Sequence, residues 1–207
     1  MTVTGITEVT KSRCRIEIDQ EFAFVLYKGE MRQYRIQLGE ELTQEAYRTI
    51  MKELLPGRAR LRSMNLLKSR EYTTEQLREK LRQGMYPEEV IEDALAYVSS
   101  FHYVDDLRYA GDYIQMHEQS RSRRRMEQDL LRKGISSAVI EQAFAHWQEQ
   151  GGEQDEQAMI AELLHKRGFC AETADYKEWQ RTAAYLQRKG FSCEQISRVM
   201  RRCDWQE

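Results

Sequence analysis

The first forty residues follow the two-residue period of β-strands. Residues 3–9 and 13–18 alternate apolar and polar side chains or are rich in β-branched ones, and the polar residues 10–12 separate them. Residues 22–27, FAFVLY, come after the polar stretch 19–21 and predict a third strand. The N-terminal segment is therefore predicted to be β-rich.

The segment 28–38 fits both regular periods. Met31, Tyr34 and Leu38 would share one face of a helix, whereas Tyr34, Ile36 and Leu38 would share one face of a strand. The pattern predicts a short element here and leaves its type open.

Beyond position 41 the apolar residues recur with the helical period of 3.6. One face of the predicted helix carries Leu42, Ala46, Ile50 and Leu54. The pair Pro56–Gly57 is predicted to end this helix, since proline and glycine both disfavour its continuation.

An internal repeat is the most informative pattern in the chain. It is centred on Gly84, Gly134 and Gly190, in the contexts KLRQGM, LLRKGI and LQRKGF. Six residues after each glycine stand the apolar residues Val90, Ile140 and Ile196. Fixed spacings of this kind indicate copies of one supersecondary unit.

Each copy reads as two helices joined by a tight turn. The basic residues before the glycine suit the negative end of a helix dipole, and the glycine is predicted to take the left-handed position after the helix. Ser136 and Ser192 are predicted to cap the second helix, Gln195 to complete a capping box, and Pro87 to occupy the first helical position.

The copies are 50 and 56 residues apart, which leaves room for a third helix in each period. One such helix is predicted after Asp105, with Ala110 and Ile114 inward, and its counterpart at 153–166, with Leu164 inward. The predicted fold is mainly α, with tandem three-helix repeats in an elongated, curved array after a small β-rich segment. The predicted boundaries are 1–40 for the β-rich segment, then 41–120, 121–168 and 169–207 for the three repeats.

Composition narrows the function classes. The chain contains no apolar run of the length that spans a membrane, and its first residues lack the order of a signal peptide. The four cysteines show no C-x-x-C pair, which favours free thiols in a reducing cytosol. No phosphate-binding loop, dinucleotide fingerprint or H-E-x-x-H motif is present, and the four histidines are scattered. We therefore expect a cytoplasmic, non-enzymatic protein without a cofactor or a metal site.

Charge alternates in bands along the chain, although the net charge is only -2. Residues 58–82 carry a net charge of +5, and 83–120 carry -7. The next bands, 121–133, 134–176 and 177–202, carry +4, -6 and +5. Such banding indicates strong local fields for binding a charged partner.

The run RSRRR at 121–125 is the sharpest local signal. Basic runs are often solvated helix starts, but arginines at a helix N-terminus oppose the dipole, which favours anions there. We therefore predict a partner or DNA phosphate at this point, with the basic residues after Gly57 and near the C-terminus as candidate extensions. The predicted binding residues are Arg121, Arg123, Arg124, Arg125, Arg132, Lys133, Lys189, Arg201 and Arg202.

Five aromatic residues cluster near the second turn of the first repeat. They are Tyr97, Phe101, Tyr103, Tyr109 and Tyr113. Packing between helices is expected for them, in preference to stacking on nucleic-acid bases.

Taken in order, these motifs resemble the regulatory protein RecX family. The resemblance rests on Ser69–Arg70, 77–85, 103–106 with Tyr109–Ala110, 124–135 and 185–192, and it covers roughly 55–205. Ser122 departs from the pattern, because the family usually has glycine there; serine also caps helices, so the turn is expected to survive.

The resemblance implies a cytoplasmic bacterial regulator that binds the RecA recombinase filament and inhibits its ATP hydrolysis and strand exchange, in recombination, DNA repair and the SOS response. We expect a monomer that binds no cofactor and does not associate with a membrane. Direct contact with single- or double-stranded DNA through the basic bands stays open. The alternatives are a nucleic-acid-binding helical module that acts without RecA, and a helical scaffold for another protein.

Overall fold

The computed structural model describes residues 1–201 of the 207-residue chain. It divides into two compact units, the first covering Met1–Asp105 and the second beginning at Asp106. The structure is mainly helical, with a three-stranded sheet at the N-terminus.

The sheet of the first unit is antiparallel, in the order β1-β2-β3. Its strands are β1 (Val3–Thr10), β2 (Arg13–Ile18) and β3 (Glu21–Tyr27), so all three predicted strands are confirmed. A tight turn joins β2 to β3, with positive φ at Asp19 and Gln20, which matches the twist of the paired strands. One face of β2 is buried and forms part of the core of the unit.

The segment 28–38, whose pattern fits both a helix and a strand, begins with a helix, α1 (Lys28–Gln33). The chain then turns through Arg35, whose φ is +52°, and Ile36 is buried against the sheet.

The predicted end of the next helix at Pro56–Gly57 is wrong. The chain runs through α2 (Gln44–Thr49) and a π-helical turn (Ile50–Leu54) directly into α3 (Leu55–Leu67). In the π turn the Leu55 N–H donates to the Ile50 carbonyl, five residues back, and Pro56 lies in the first turn of α3, where a missing N–H is tolerated. Sequence reasoning treated the proline as a breaker because it took no account of this wider turn.

The helical hairpins form as predicted. Their helices are α4 (Thr74–Gln83), α5 (Glu88–Ser100), α6 (Asp106–His117), α7 (Arg123–Arg132), α8 (Ser137–Glu149), α9 (Glu156–Arg167), α10 (Tyr176–Arg188) and α11 (Cys193–Met200). Ser136 and Ser192 cap α8 and α11, and Gln195 completes the capping box.

The glycine of the first hairpin departs from prediction. Gly134 and Gly190 have φ of +86° and +97°, but Gly84 does not adopt the left-handed conformation; Met85, with φ +59°, does so instead. Gly84 is still constrained, because a Cβ there would lie 2.9 Å from the Tyr86 ring. Pro87 occupies the N-cap of α5 and not its first helical position.

The second unit contains two apolar cores. Helices α6, α7 and α8 enclose the first, and α9, α10 and α11 enclose the second. Helices α6 and α9 therefore pack with the hairpin that follows them. The repeat aligned on Gly84, Gly134 and Gly190 instead assigns each of these helices to the hairpin that precedes it. A periodic pattern fixes the length of a repeat but not where the folding unit begins.

Candidate partner-binding surface

The arginine run lies at the start of α7, and a buried serine fixes its position. Ser122 is the N-cap of α7, and its Oγ accepts a hydrogen bond from the Arg125 N–H at 3.3 Å. The Ser122 N–H donates to the carbonyl of Lys189 at 3.1 Å, so the start of α7 lies against the turn between α10 and α11. The predicted capping role of the serine is confirmed.

A single carboxylate balances much of this positive charge. One oxygen of the buried Asp129 accepts hydrogen bonds from Arg121 Nη1 at 2.6 Å, Arg125 Nε at 3.0 Å and the Tyr113 hydroxyl at 3.1 Å. Arg132 Nη1 lies 3.6 Å from the other oxygen. The structure thus brings three of the predicted binding residues together around Asp129. For Arg121 and Arg125, at the start of α7, this internal counter-charge offsets part of their conflict with the helix dipole.

Three further predicted cations also have partners within the chain. Arg123 Nε lies 2.8 Å from Glu127 Oε1, with its guanidinium over the Phe144 ring. Lys133 Nζ donates to the Tyr109 hydroxyl at 3.0 Å. Lys189 Nζ donates to the Ser120 carbonyl at 3.1 Å, which places the Lys189 ammonium beside the start of the arginine run at 121–125.

The outer face of α7 carries the cations that are most available to a partner. We define it by Arg124, Gln128 and Arg132, which are exposed and follow one another at four-residue intervals. Within residues 1–201 Arg124 forms no ion pair, and the Arg132 side chain is 66% exposed. Arg201 is exposed at the end of α11, and Arg202 lies outside the described residues.

Sequence reasoning missed Asp129. A signal was present, since Asp129 follows Arg125 by four residues and precedes Arg132 by three, which are spacings that bring side chains together on a helix. The net charge of residues 121–133 does not show which of these charges are paired with one another.

Two side chains near Asp129, Tyr113 and His117, have pKa values that differ from their ordinary ones. Burial raises the pKa of Tyr113 to about 12, and the hydrogen bond to Asp129 acts in the same direction. Burial also lowers the pKa of His117, whose ring packs edge-on against Tyr113, and the charge of Arg121 adds to this effect. Both shifts favour the neutral form of the group, since Tyr113 loses its proton less readily and His117 gains one less readily.

Ionisation of Tyr113 is expected to destabilise the fold at alkaline pH. Because its pKa is higher in the folded chain than the ordinary value near 10, its contribution is complete below about pH 10 and is lost as the pH rises toward 12. Titration of phenolate absorbance should show a component near pH 12 that is absent in Tyr113→Phe. Persistence of the full late component in that variant would contradict the assignment.

Three aromatic side chains are more exposed than expected. Tyr97, Phe101 and Tyr103 are 37%, 54% and 49% exposed, with neighbouring ring centroids 5.1 and 5.8 Å apart. Tyr97 lies on α5, whereas Phe101 and Tyr103 follow the end of α5 at Ser100, on either side of His102, which takes a positive φ. The expected packing holds for Tyr109 and Tyr113, which lie against the core of α6, α7 and α8.

Across residues 1–201 no three His, Cys, Asp or Glu side chains are grouped so as to hold a metal ion. In the same part of the chain no helix combines the length and the apolar character that a membrane span requires. Cys14, Cys170 and Cys193 are free thiols.

Three family models match the chain in tandem. They are described as the first, second and third three-helix domains of RecX, and they match residues 59–97, 105–143 and 153–200. The first range runs from within α3 to within α5, the second covers α6, α7 and the first half of α8, and the third covers α9, α10 and α11.

Whole-chain comparisons agree with the family models. A protein named regulatory protein RecX from Caldanaerobacter subterraneus is 27% identical over 97% of this chain and 98% of its own length. Another of that name, from Vibrio parahaemolyticus, is 34% identical over 65% of this chain and 84% of its own. A crystal structure of regulatory protein RecX, 22% identical, covers 96% of this chain and 98% of its own with a TM-score of 0.57, which shows a shared fold. The chain belongs to the RecX family of regulatory proteins.

Proposed function

We propose that this protein binds RecA filaments and inhibits the ATPase and strand-exchange activities of RecA, as a regulator without an active site of its own. The observation that carries the proposal is family membership: the three matched domains follow one another from residue 59 to residue 200. The action of such a regulator depends on its surfaces, so the exposed charged groups are the first candidates for contact.

The outer face of α7 is the surface we assign to this contact. Arg121, Arg123 and Arg125 are engaged by Asp129 and Glu127, so their charges are largely satisfied within the fold. Within residues 1–201 Arg124 forms no ion pair, and Arg132, although it lies 3.6 Å from Asp129, keeps a side chain that is 66% exposed. Both stand on a helix whose start is held by Ser122. A guanidinium on a fixed helix can bind a carboxylate of RecA or a DNA phosphate through two parallel hydrogen bonds.

Reversing the charge of this face should weaken inhibition. We expect Arg124→Glu/Arg132→Glu to raise the concentration that halves the DNA-dependent ATPase of RecA by about tenfold, which corresponds to roughly 1.4 kcal/mol of binding free energy. The matched control is Arg181→Glu/Arg188→Glu, which makes the same charge change at exposed positions of α10. The control should stay within about twofold of the parent chain.

Two results would count against the proposal. Absence of ATPase inhibition by the parent chain at any ratio to RecA would remove the function. Equal losses in the two double variants would leave the function and remove the outer face of α7 as its contact, because the effect would then follow net charge alone.

The exposed rings favour one second candidate, a nucleic-acid-binding module that acts without RecA. Tyr97, Phe101 and Tyr103 form an accessible aromatic group, and Arg60 lies 4.9 Å from the centre of the Tyr97 ring. Bases stack on such rings without regard to sequence. Affinity for single-stranded DNA that falls steeply with salt, together with unchanged RecA ATPase, would support this candidate over the first.

A further inference from the structure

A cavity opens in the N-terminal unit, outside the three matched domains. It has a volume of about 480 Å³ and lies between β2, α1 and the turn that follows α1. Its apolar lining comes from Cys14, Met31 and Ile36, of which Cys14 and Ile36 are buried. The volume falls within the range of small-molecule sites, and an apolar lining with a few polar groups is typical of them.

Three cations surround this apolar lining. They are Lys28, Arg32 and Arg35, and the described lining contains no carboxylate. Lys28 is paired with Glu8, and Arg32 Nε donates to the Lys28 carbonyl at 3.3 Å. Within residues 1–201 neither Arg32 nor Arg35 forms an ion pair. The cavity therefore has a positive rim.

Arg58, in the same unit, is an arginine whose hydrogen bonds within the fold give it a structural role. Its guanidinium binds both carboxylate oxygens of Glu30, at 2.9 and 3.1 Å, and donates to the Val25 carbonyl at 2.7 Å. Among the partners that residues 1–201 provide, Arg32 and Arg35 have none comparable. Arg35 also holds φ at +52°, a conformation that costs a non-glycine residue about 1 kcal/mol. Neither arginine is thus explained by pairing within the fold.

We propose that this cavity binds the phosphate of a nucleotide, with the apolar lining against its sugar or base. Two guanidinium groups without counter-ions match phosphate geometry, which accepts paired N–H donors. Lys28 is already paired with Glu8, so the charge left at the cavity is that of two guanidinium groups, which matches the nearly two negative charges of a terminal phosphate better than the single charge of a side-chain carboxylate. The ligand is either a free nucleotide or a nucleotide unit within a single strand.

This proposal does not depend on the contact with RecA. Its residues lie in the segment before residue 59, where the family models begin, and the outer face of α7 belongs to the second unit. Failure of either proposal leaves the other standing, since one is measured by ATPase inhibition and the other by ligand binding at Met31.

The ε-methyl group of Met31 provides a local probe. The full chain would be labelled with ¹³C-methyl methionine, its Met31 signal assigned with Met31→Leu, and titrated in separate arms with 5′-dTMP and with a twelve-residue oligo-dT. We expect the Met31 signal to move and saturate, with a dissociation constant of about 1 mM or lower in at least one arm. Saturation by 5′-dTMP would identify a free-nucleotide site, and saturation by oligo-dT alone would identify a strand-binding site.

Two double variants test whether binding depends on the cavity or only on the net charge of the first unit. Arg32→Gln/Arg35→Asn removes both unpaired guanidinium groups, and asparagine tolerates the positive φ at position 35. Arg48→Gln/Arg62→Gln removes two exposed arginines elsewhere in the first unit. The first pair should weaken binding at Met31 by about fivefold or more, and the second by less than about twofold. Circular dichroism would verify that both variants are folded.

Three outcomes would overturn the proposal: no saturable shift of Met31 in either arm, equal weakening by the two double variants, or an equal shift with a glutamate-rich peptide of matched charge.

Discussion

Gly190→Ala should lower the free energy of unfolding of the second unit by about 3 kcal/mol. Gly190 has a φ of +97°, which an alanine adopts only with strain. A Cβ at this position would also lie 2.3 Å from Ser122 Oγ and 2.4 Å from Arg125 Cβ. Neither atom can move freely, because Ser122 caps α7 and Arg125 is in its first turn.

Gly168→Ala is the matched control. Gly168 also adopts a positive φ, +67°, at the end of a helix, but a Cβ there would meet no atom within 4 Å. We expect a loss of about 1 kcal/mol, since only backbone strain is added. Urea denaturation followed by circular dichroism would measure both variants. Equal losses would show that the contact between Gly190 and Ser122 is not needed for stability.

Asp129→Ala should lower the free energy of unfolding by about 2–3 kcal/mol. The substitution leaves Arg121 and Arg125 without their carboxylate beside the positive end of α7, and the Tyr113 hydroxyl loses its acceptor. The expected loss lies below that of a fully buried pair, because both arginines are about one-third exposed and are screened by water.

Glu127→Ala provides the comparison for Asp129. Glu127 pairs with Arg123 on the same helix, but both side chains are well exposed, so the expected loss is about 0.5 kcal/mol or less. Thermal and urea unfolding of the two variants would test the difference. A loss below about 0.5 kcal/mol for Asp129→Ala would contradict the view that Asp129 organises the start of α7.

The features that could be predicted from sequence are those determined by neighbouring residues. Ser136 and Ser192 cap helices through hydrogen bonds to residues three positions on, and Gly134 and Gly190 end helices through their own backbone freedom. The apolar periods of the strands and helices are local in the same sense. These signals were enough to place the hairpins and the sheet.

The features that could not be predicted depend on contacts between distant segments. The close approach of Gly190 to Ser122 joins positions 68 residues apart, and nothing in either local sequence indicates it. The exposure of Phe101 follows from the direction in which the chain leaves α5, and the chain continues past Pro56 because the π turn absorbs the missing donor. The cavity beside α1 could not be predicted while the type of that segment stayed open.

The π turn at Ile50–Leu54 also makes the length of this segment adjustable during evolution. A turn closed from residue i to residue i+5 holds one residue more than an α-helical turn, so deleting one residue here would leave a regular α-helical turn. Leu55 and Ala59 would then stay close to the positions they occupy in the core. Deletions of one residue should therefore be found in this segment among related sequences, whereas the same deletion within α3 would rotate its apolar side by about 100° and should be rare.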